Sequence, residues 1–301
     1  MRRRSFVVIG VPIFLSLATL ATGQKEEDHP RPPRDIHVLV VSIDGLRPDA
    51  IPAARGTPAI NALAAAGARA ARARTVFPSS TLPSHTSMLT GLVPSRHRVM
   101  LWNSYDPERG HIEATTCLEL AGRAGYRTAM IAGKEKFWHL SRGVDHYERP
   151  GGSAGEVARA AAAHMKEAKP GLAFVHFADP DSAGHEHGWM TEPQFEAIRE
   201  VDRGLARILD ALAEAEIRET TVIVVTADHG GHGKTHGTWL DEDMSIPWIA
   251  AGPGIRKGTL IEREIRTYDT AATALALLGV PVPGDWDGRP VVEAFEASTD
   301  R

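Results

Sequence analysis

Acidic residues follow three apolar segments of the chain, and histidines lie close to two of them. Asp44 ends the segment IHVLVVSID, Asp181 comes shortly after LAFVHFA, and Asp228 comes shortly after TVIVVT. Such apolar runs predict buried parallel strands, and open α/β sheets bind ligands beyond the carboxyl ends of their strands. His185 follows Asp181 by one helical turn, and His229 directly follows Asp228. We therefore expect these side chains to meet at one edge of a sheet.

The residue types in this set are those that bind divalent metal ions. Mixed Asp and His sites suit Zn²⁺ and similar cations. Two more histidines, His232 and His236, follow in a Gly-rich loop, and either could complete the set. Taken singly, an Asp-Gly pair is typical of a turn and an Asp-His pair of a helix cap or a surface. The joint arrangement favours two metal ions, provided that one more oxygen ligand is available.

Thr81 is a candidate for that oxygen ligand. It lies in the segment FPSSTLPSH (77–85), between a predicted strand and a predicted helix. Free N–H groups at a helix N-terminus favour an anion, and a nearby metal ion would lower the pKa of a hydroxyl and make it nucleophilic. The alternative is that Thr81 and Ser79 only cap the helix.

Two lysines in the segment GKEK (133–136) are candidates for binding an anionic substrate. Lys134 and Lys136 follow the strand predicted at 126–131, so they are expected at the same edge of the sheet as the acids. The alternative is a solvated charged loop.

Strand and helix patterns alternate along the chain. β-Branched and apolar runs predict strands at 36–43, 70–77, 126–131, 172–178, 221–226 and 246–250. Helical periodicity and capping residues predict helices at 57–67, 86–89, 115–123, 156–168, 192–214 and 268–278, with Thr57 as an N-cap. This alternation predicts an α/β three-layer sandwich, with a mostly parallel central sheet and helices on both faces.

The composition excludes several other classes of protein. The chain has 301 residues, 43% of them hydrophobic, and a formal net charge of −4. These values exclude a mainly disordered or fibrous chain, and the charge gives no basic surface for nucleic acid. The single Cys117 excludes an intramolecular disulfide framework and a Cys-based zinc cluster.

Seven segments together resemble the alkaline phosphatase superfamily, on its nucleotide pyrophosphatase/phosphodiesterase branch. They occur in the order expected for the superfamily and are spread over roughly residues 36–290, nearly the whole mature chain. The segments are VSIDG (41–45), FPSSTLPSHTSMLTGLVPSRH (77–97), DPDSAGHEHG (179–188), TADHGG (226–231), HG (236–237), IPWIAAGPG (246–254) and DTAATALALLGVPVPGDWDGRP (269–290).

The resemblance implies two metal sites, most simply for Zn²⁺, around one nucleophile. One site would use Asp181, His185 and His236, and the other Asp44, Asp228, His229 and Thr81. Thr81 would also be the nucleophile, and Asn103 would bind a phosphoryl oxygen. His232 competes with His236 for the last ligand position; His236 is preferred because it precedes Gly237, as in related loops. Lys134 and Lys136 resemble a Lys-x-Lys pair that contacts substrate in phosphonoacetate hydrolases of the superfamily.

This resemblance implies hydrolysis of phosphodiester or pyrophosphate bonds in a small molecule through a phospho-threonine intermediate. A phosphomonoesterase or a phosphonate hydrolase is the nearest enzymatic alternative, and a non-catalytic metal-binding scaffold is the alternative of another class. A sulfatase of the usual type is unlike this chain, because Thr81 cannot form formylglycine. Cofactor-independent phosphoglycerate mutases use Ser at this position. The sequence leaves the oligomeric state open.

The N-terminal residues have the pattern of a secretory signal peptide. A basic start at 1–4 precedes an apolar stretch at 5–20, and a site of small residues follows near Gly23. We predict a signal peptide at 1–23, a linker at 24–35 and one alkaline phosphatase-like catalytic domain at 36–301 with at most a small cap. The alternative of an uncleaved anchor fits less well, because the apolar stretch is short and contains Pro12. The mature protein is therefore expected to be exported, with no stable membrane span.

Overall fold

The computed structural model describes residues 35–297. The signal peptide predicted at 1–23 and nearly all of the linker predicted at 24–35 lie outside the described residues, as do the last four residues of the chain.

The described residues form eleven strands in two sheets. In chain order the strands are β1 (His37–Ile43), β2 (Ala68–Ala70), β3 (Ala73–Arg74), β4 (Thr128–Ala132), β5 (His146–Glu148), β6 (Leu172–Phe177), β7 (Thr221–Thr226), β8 (Ser245–Ile246), β9 (Trp248–Ala251), β10 (Thr259–Ile261) and β11 (Ile265–Arg266). Eight of them form the central sheet in the order β10-β2-β9-β7-β1-β6-β4-β5, and the others form a small sheet in the order β11-β3-β8. Within the central sheet, neighbouring strands are parallel except that β9 runs antiparallel to both β2 and β7.

The three strands that precede the acids are neighbours in the middle of the sheet. β1 pairs in parallel with β6 on one side and with β7 on the other. β6 and β7 are wholly buried, as an apolar run covered by helices on both faces requires. The register places Ile43 opposite Phe177 and Ser42 opposite Thr226, so the three strands end at nearly the same level. The residues that follow them therefore come together at one edge.

Ten α-helices, among the described residues, cover the sheet in two groups. In chain order they are α1 (Ala50–Ala54), α2 (Pro58–Ala66), α3 (Thr81–Thr90), α4 (Pro94–His97), α5 (Cys117–Arg123), α6 (Ala154–Ala168), α7 (Asp179–His187), α8 (Glu192–Glu214), α9 (Asp241–Met244) and α10 (Asp269–Leu278). α1, α2, α6 and α7 pack around α8, whereas α3, α5 and α10 pack on one another. The predicted α/β sandwich with a mostly parallel sheet is confirmed, as is the helix predicted at 192–214.

Three local predictions differ from the structure. The strand predicted at 70–77 is wrong: β2 and β3 are separate short strands that pair in different sheets, with Ala71 and Arg72 exposed between them. The helix predicted at 86–89 begins earlier, because α3 starts at Thr81. Thr57 does occupy the N-cap of α2, but its side chain makes no capping bond. The buried carboxylate of Asp202 accepts hydrogen bonds from two N–H groups of α2 instead, those of Ala59 and Ile60.

Candidate metal centre and active site

The structure brings six of the predicted ligands together in two groups. Asp44, Asp228 and His229 are fully buried, and their ligand atoms lie within 4.8 Å of one another. The second group, Asp181, His185 and His236, meets the same distance limit and lies nearer to solvent. A contact of 3.2 Å between His229 Nε2 and Asp44 Oδ1 joins the first group internally, and His229 Nε2 also lies 4.0 Å from Asp181 Oδ1. The two groups are therefore adjacent.

Backbone carbonyls orient all three histidines in the same way. The Nδ1 atoms of His229, His185 and His236 lie 2.8, 3.1 and 2.8 Å from the carbonyl oxygens of Gly230, Lys234 and Ser79. A carbonyl can only accept, so Nδ1 carries the proton in each ring and Nε2 presents a lone pair. The Nε2 atoms of His236 and His185 are 3.1 Å apart, so the two rings can share either a proton or a metal ion there. Such orientation of imidazoles by outer partners is typical of metal ligands.

Each of the three acids uses one oxygen in a hydrogen bond within the protein and leaves the other facing the histidines of the two groups without a hydrogen bond. Asp44 Oδ2 accepts from His176 Nε2 at 3.0 Å, Asp181 Oδ2 from Lys134 Nζ at 2.5 Å, and Asp228 Oδ1 from the N–H of Gly45 at 3.2 Å. The opposite oxygens are buried and unpartnered among the described residues, as is Nε2 of His229. Buried acceptors without partners are costly, so this donor set fits divalent cations.

The charges in the buried group perturb one another strongly. Burial and the neighbouring Asp44 raise the pKa of Asp228 well above its usual value. Burial also disfavours ionised Asp44, but Lys134, His176 and His229 outweigh it and hold the pKa of Asp44 well below its usual value. Burial opposes the charged form of His229, yet the carboxylates of Asp228 and Asp44 raise its pKa to about 10. The raised pKa values show that protons offset the negative charge of the clustered carboxylates, and bound cations would offset the same charge.

The two histidines that competed for the last ligand position have different partners. Nε2 of His236 lies 3.5 Å from Asp181 Oδ1. Nδ1 of His232 instead lies 2.7 Å from Oδ1 of Asp243 and takes no part in either group. The structure thus places His236 with Asp181 and His185, and it places His232 in the loop behind them.

Thr81 is the first residue of α3 and is almost fully buried. The N-cap is Ser80, which makes no side-chain capping bond, and Ser79 Oγ donates to the carbonyl of Thr238 at 2.8 Å. Neither Thr81 nor Ser79 therefore caps the helix, as the alternative would require. His85 links Thr81 to the metal-ligand acids, because its Nδ1 lies 2.8 Å from the Thr81 carbonyl and 3.4 Å from Asp228 Oδ2.

Asn103 is held beside the start of α3. Its Oδ1 accepts from the N–H of Leu82 at 2.8 Å and from Nζ of Lys136 at 3.1 Å. With the carbonyl oxygen so engaged, the two N–H groups of the Asn103 amide remain to donate. Burial, reinforced by the nearby charge of Lys134, lowers the pKa of Lys136.

The two candidate lysines occupy different places. Nζ of Lys134 lies 2.7 Å from Asp44 Oδ2 and 2.5 Å from Asp181 Oδ2, so this ammonium joins one acid of each group. Lys136 contacts Asn103 instead. Lys134 is thus engaged by the acids, whereas Lys136 lies beside Asn103 at the start of α3.

Two buried histidines that sequence reasoning did not place in the site lie directly behind it. His176 contacts Asp44 and leaves its Nδ1 without a hydrogen-bond partner among the described residues. His85 places its Nε2 2.8 Å from Ser42 Oγ. The signal for His176 was a polar residue inside the apolar run of β6, one strand away from Asp44.

The sequence model of the type I phosphodiesterase / nucleotide pyrophosphatase family matches residues 38–244, a range that contains every residue of the candidate site. The chain belongs to this family. No helix among residues 35–297 has the length and hydropathy of a membrane span.

Relatives of this phosphodiesterase-family chain are much longer proteins. Human ectonucleotide pyrophosphatase/phosphodiesterase family member 1 is 25% identical over 213 residues, which cover 64% of this chain and 23% of that one. A 2,3-bisphosphoglycerate-independent phosphoglycerate mutase of Listeria innocua is 30% identical over 177 residues, covering 56% of this chain and 32% of its own. The chain thus spans about a quarter to a third of the curated relatives that it matches.

One solved structure matches the fold of this chain over the whole length of the solved chain. The catalytically inactive form of murine ectonucleotide pyrophosphatase/phosphodiesterase 5, in complex with AMP, superposes with a TM-score of 0.72. The match covers 87% of this chain and 100% of that one at 18% sequence identity, and at this identity it establishes the fold alone.

Proposed function

We propose that this protein is an exported phosphoesterase that hydrolyses phosphodiester or pyrophosphate bonds of small molecules. The observation that carries the proposal is the pair of adjacent Asp/His groups with unpartnered ligand atoms beside the first residue of α3. Two divalent cations, most simply Zn²⁺, would be held by Asp44, Asp228 and His229 and by Asp181, His185 and His236. Two cations held there would stabilise the negative charge of a phosphoester.

Thr81 is the proposed nucleophile. Its Oγ attacks phosphorus, forming an Oγ–P bond while the bond from phosphorus to the leaving oxygen breaks, and the hydroxyl proton passes to the leaving oxygen. Water then attacks the same phosphorus and the Oγ–P bond breaks. The phosphorylated product leaves with the water oxygen, and one proton of the water goes to Oγ of Thr81. Bound divalent cations supply Lewis-acid stabilisation of the phosphoryl charge and favour the ionised hydroxyl.

Other residues of the chain orient the phosphoryl group. The Asn103 amide donates to a phosphoryl oxygen, since its carbonyl side is already held by Leu82 and Lys136. Lys136 adds positive charge at the same place. Lys134 joins Asp44 and Asp181, and so sets the separation between the two cation sites.

A nucleotide diester is the favoured substrate class. The family and the human relative are named for nucleotide pyrophosphatase and phosphodiesterase activity, and the murine relative was solved with AMP. AMP is the product expected when a nucleotide diester is cleaved at its 5′-phosphate.

The test is turnover by the full mature chain, loaded with Zn²⁺, of three substrates. We expect bis-p-nitrophenyl phosphate to be cleaved with a higher kcat/KM than p-nitrophenyl phosphate or phosphonoacetate. Thr81→Ala should abolish turnover, and mass spectrometry of the quenched wild-type protein should find a phosphoryl group on Thr81. A preference for the monoester or the phosphonate would overturn the diesterase assignment. A protein that folds but binds no metal and turns over nothing would favour the scaffold alternative.

Export is proposed on the basic and apolar pattern of residues 1–23. Expression of the full chain in a bacterial host, followed by N-terminal sequencing of the extracytoplasmic product, should find cleavage near Gly23. Retention of the uncleaved chain in the cytoplasm would refute this.

A further inference from the structure

The loop between His229 and His236 carries a metal-ligand candidate, yet it has little regular structure of its own. Among the described residues, its only internal ladder is the isolated bridge between His232 and Thr235. An unsupported loop of this kind would hold His236 in many positions. Something outside the loop must therefore fix it.

The buried side chain of Asp243, in α9, contacts the chain before and after His236. Its Oδ1 lies 2.7 Å from Nδ1 of His232, and its Oδ2 accepts from both the N–H and the hydroxyl of Thr238, at 2.8 and 2.7 Å. Asp243 is fully buried, so these bonds are shielded from water. His232 precedes His236 and Thr238 follows it, so one carboxylate fixes the chain on both sides of the ligand.

The backbone beside this carboxylate holds the start of the loop as well. The carbonyl of Asp243 accepts from the N–H of Gly230, and that of Glu242 from the N–H of Gly231, both at 2.8 Å. Gly230 directly follows the ligand His229. The segment around Asp243 is thus hydrogen-bonded to the chain beside His229 of the buried group. It is also bonded on both sides of His236 of the second group.

We propose that Asp243 is a positioning residue that presents Nε2 of His236 to Asp181 and His185. It touches neither the ions nor the substrate and acts only through the loop. The proposal rests on the function proposed above, because it takes His236 to be a metal ligand. Without the two bonds to Thr238 and the one to His232, the loop keeps its contact to the Ser79 carbonyl but loses its attachment to the Asp243 carboxylate, and the more exposed cation site is weakened. The buried site of Asp44, Asp228 and His229 keeps its ligands.

The test compares Asp243→Ala with Asp241→Ala, a matched change on the same short helix. Asn is not used at position 243, because its amide oxygen could still accept from Thr238. Asp241 is exposed, and among residues 35–297 its side chain pairs with Arg74, at 2.6 Å. Zn²⁺ content and affinity are measured on the purified proteins by elemental analysis and by competition with a chromophoric chelator. For Asp243→Ala we expect one ion to remain bound with wild-type affinity and the other to weaken by about 10- to 100-fold, the range for loss of an outer partner of a metal ligand. Asp241→Ala should bind both ions like the wild type.

The selective loss of one ion separates positioning from a general structural role, which would lower both affinities together. Two wild-type affinities in Asp243→Ala would overturn the proposal, and so would an equal loss at both sites. If Asp243→Ala does not fold, Thr238→Val and His232→Ala each remove part of the contact, and each should weaken the same single ion. Wild-type affinities in both variants would then overturn it. A wild-type protein that binds no Zn²⁺ would instead refute the proposed function.

Discussion

Replacing Asn103 by Asp separates its two roles, because only one side of the amide changes. The new carboxylate can still accept from the N–H of Leu82 and from Lys136, which lie 2.8 and 3.1 Å from Oδ1 of Asn103. It cannot donate to a phosphoryl oxygen. The start of α3 should therefore keep its position while the donor is lost.

The expected effect on catalysis is large. Removing one donor from a developing oxyanion costs about 2.7–4 kcal/mol, which lowers the rate by about 10²–10³-fold. The added negative charge repels the substrate anion by up to about 4 kcal/mol at 4 Å and an effective dielectric constant of 20, and Lys136 offsets part of this. We therefore expect kcat/KM to fall by at least about 10²-fold.

The assay is the hydrolysis of bis-p-nitrophenyl phosphate by Zn²⁺-loaded protein. Metal content and Tm are measured on the same samples and should match the wild type, since no metal ligand and no helix contact is removed. Asn103→Ala serves as the comparison, because it also leaves the N–H of Leu82 and the ammonium of Lys136 without this partner. A fall in kcat/KM of less than about threefold for Asn103→Asp, under 1 kcal/mol, would show that Asn103 only supports α3.

Three further predictions concern stability. An ion present at a free concentration of a hundred times its Kd stabilises the fold by about 2.7 kcal/mol, so its removal by a chelator should lower Tm by about 5–10 °C. Scanning calorimetry measures the shift, and an unchanged Tm would contradict the prediction. Burial lowers the pKa of His97 to about 4. As the pH falls, the unfolded chain therefore binds a proton at this histidine before the folded chain does, so about 3 kcal/mol of folding stability is present above pH 6.5 and is lost as the pH falls through 4. Urea denaturation at a series of pH values should show a smaller loss of stability between pH 6.5 and 4 for His97→Gln than for the wild type. Gly231→Ala should destabilise the fold by about 1–3 kcal/mol in urea, because its methyl group would overlap the ring of Trp189, whereas Gly284→Ala, with open space around it, should have little effect.

The central strands could be predicted because their sequences permit few alternatives. The segments of β1, β6 and β7 are continuous apolar runs, which are stable only when both faces of a sheet are covered. The long helix at 192–214 was predicted to the residue, because its apolar positions recur with helical spacing over six turns. Pattern and structure agree where burial dictates the residue type.

Pairing partners were not predictable from local sequence. β2 and β3 lie three residues apart, yet they join different sheets, because their partners come from residues far along the chain. The residues of β9 do not indicate that it runs antiparallel, and the residues of β3, β8 and β11 do not indicate that they form a separate small sheet. These features depend on long-range contacts that periodicity does not report.

The candidate site shows the same division. The convergence of Asp44, Asp181 and Asp228 follows from three strand ends, which sequence reasoning could place. The residue pattern left His232 and His236 as competing candidates, and only the family resemblance favoured His236. The physical difference between them arises from how the loop folds over Asp243. That Lys134 would lie between two acids depends on the exact path of the turn after β4, and the pattern carried no information on it.

The dispersed origin of the ligands has a consequence for how the protein is made. His236 lies 51 residues beyond His185, and Gly45, next to Asp44, lies 183 residues before Asp228. Neither proposed set of ligands is therefore complete within a short stretch of the chain. If the proposed ligands are correct, the metal sites form only once the chain has folded, the reverse of a zinc finger, in which the metal drives the folding. Such a chain can fold first and take up its ions afterwards.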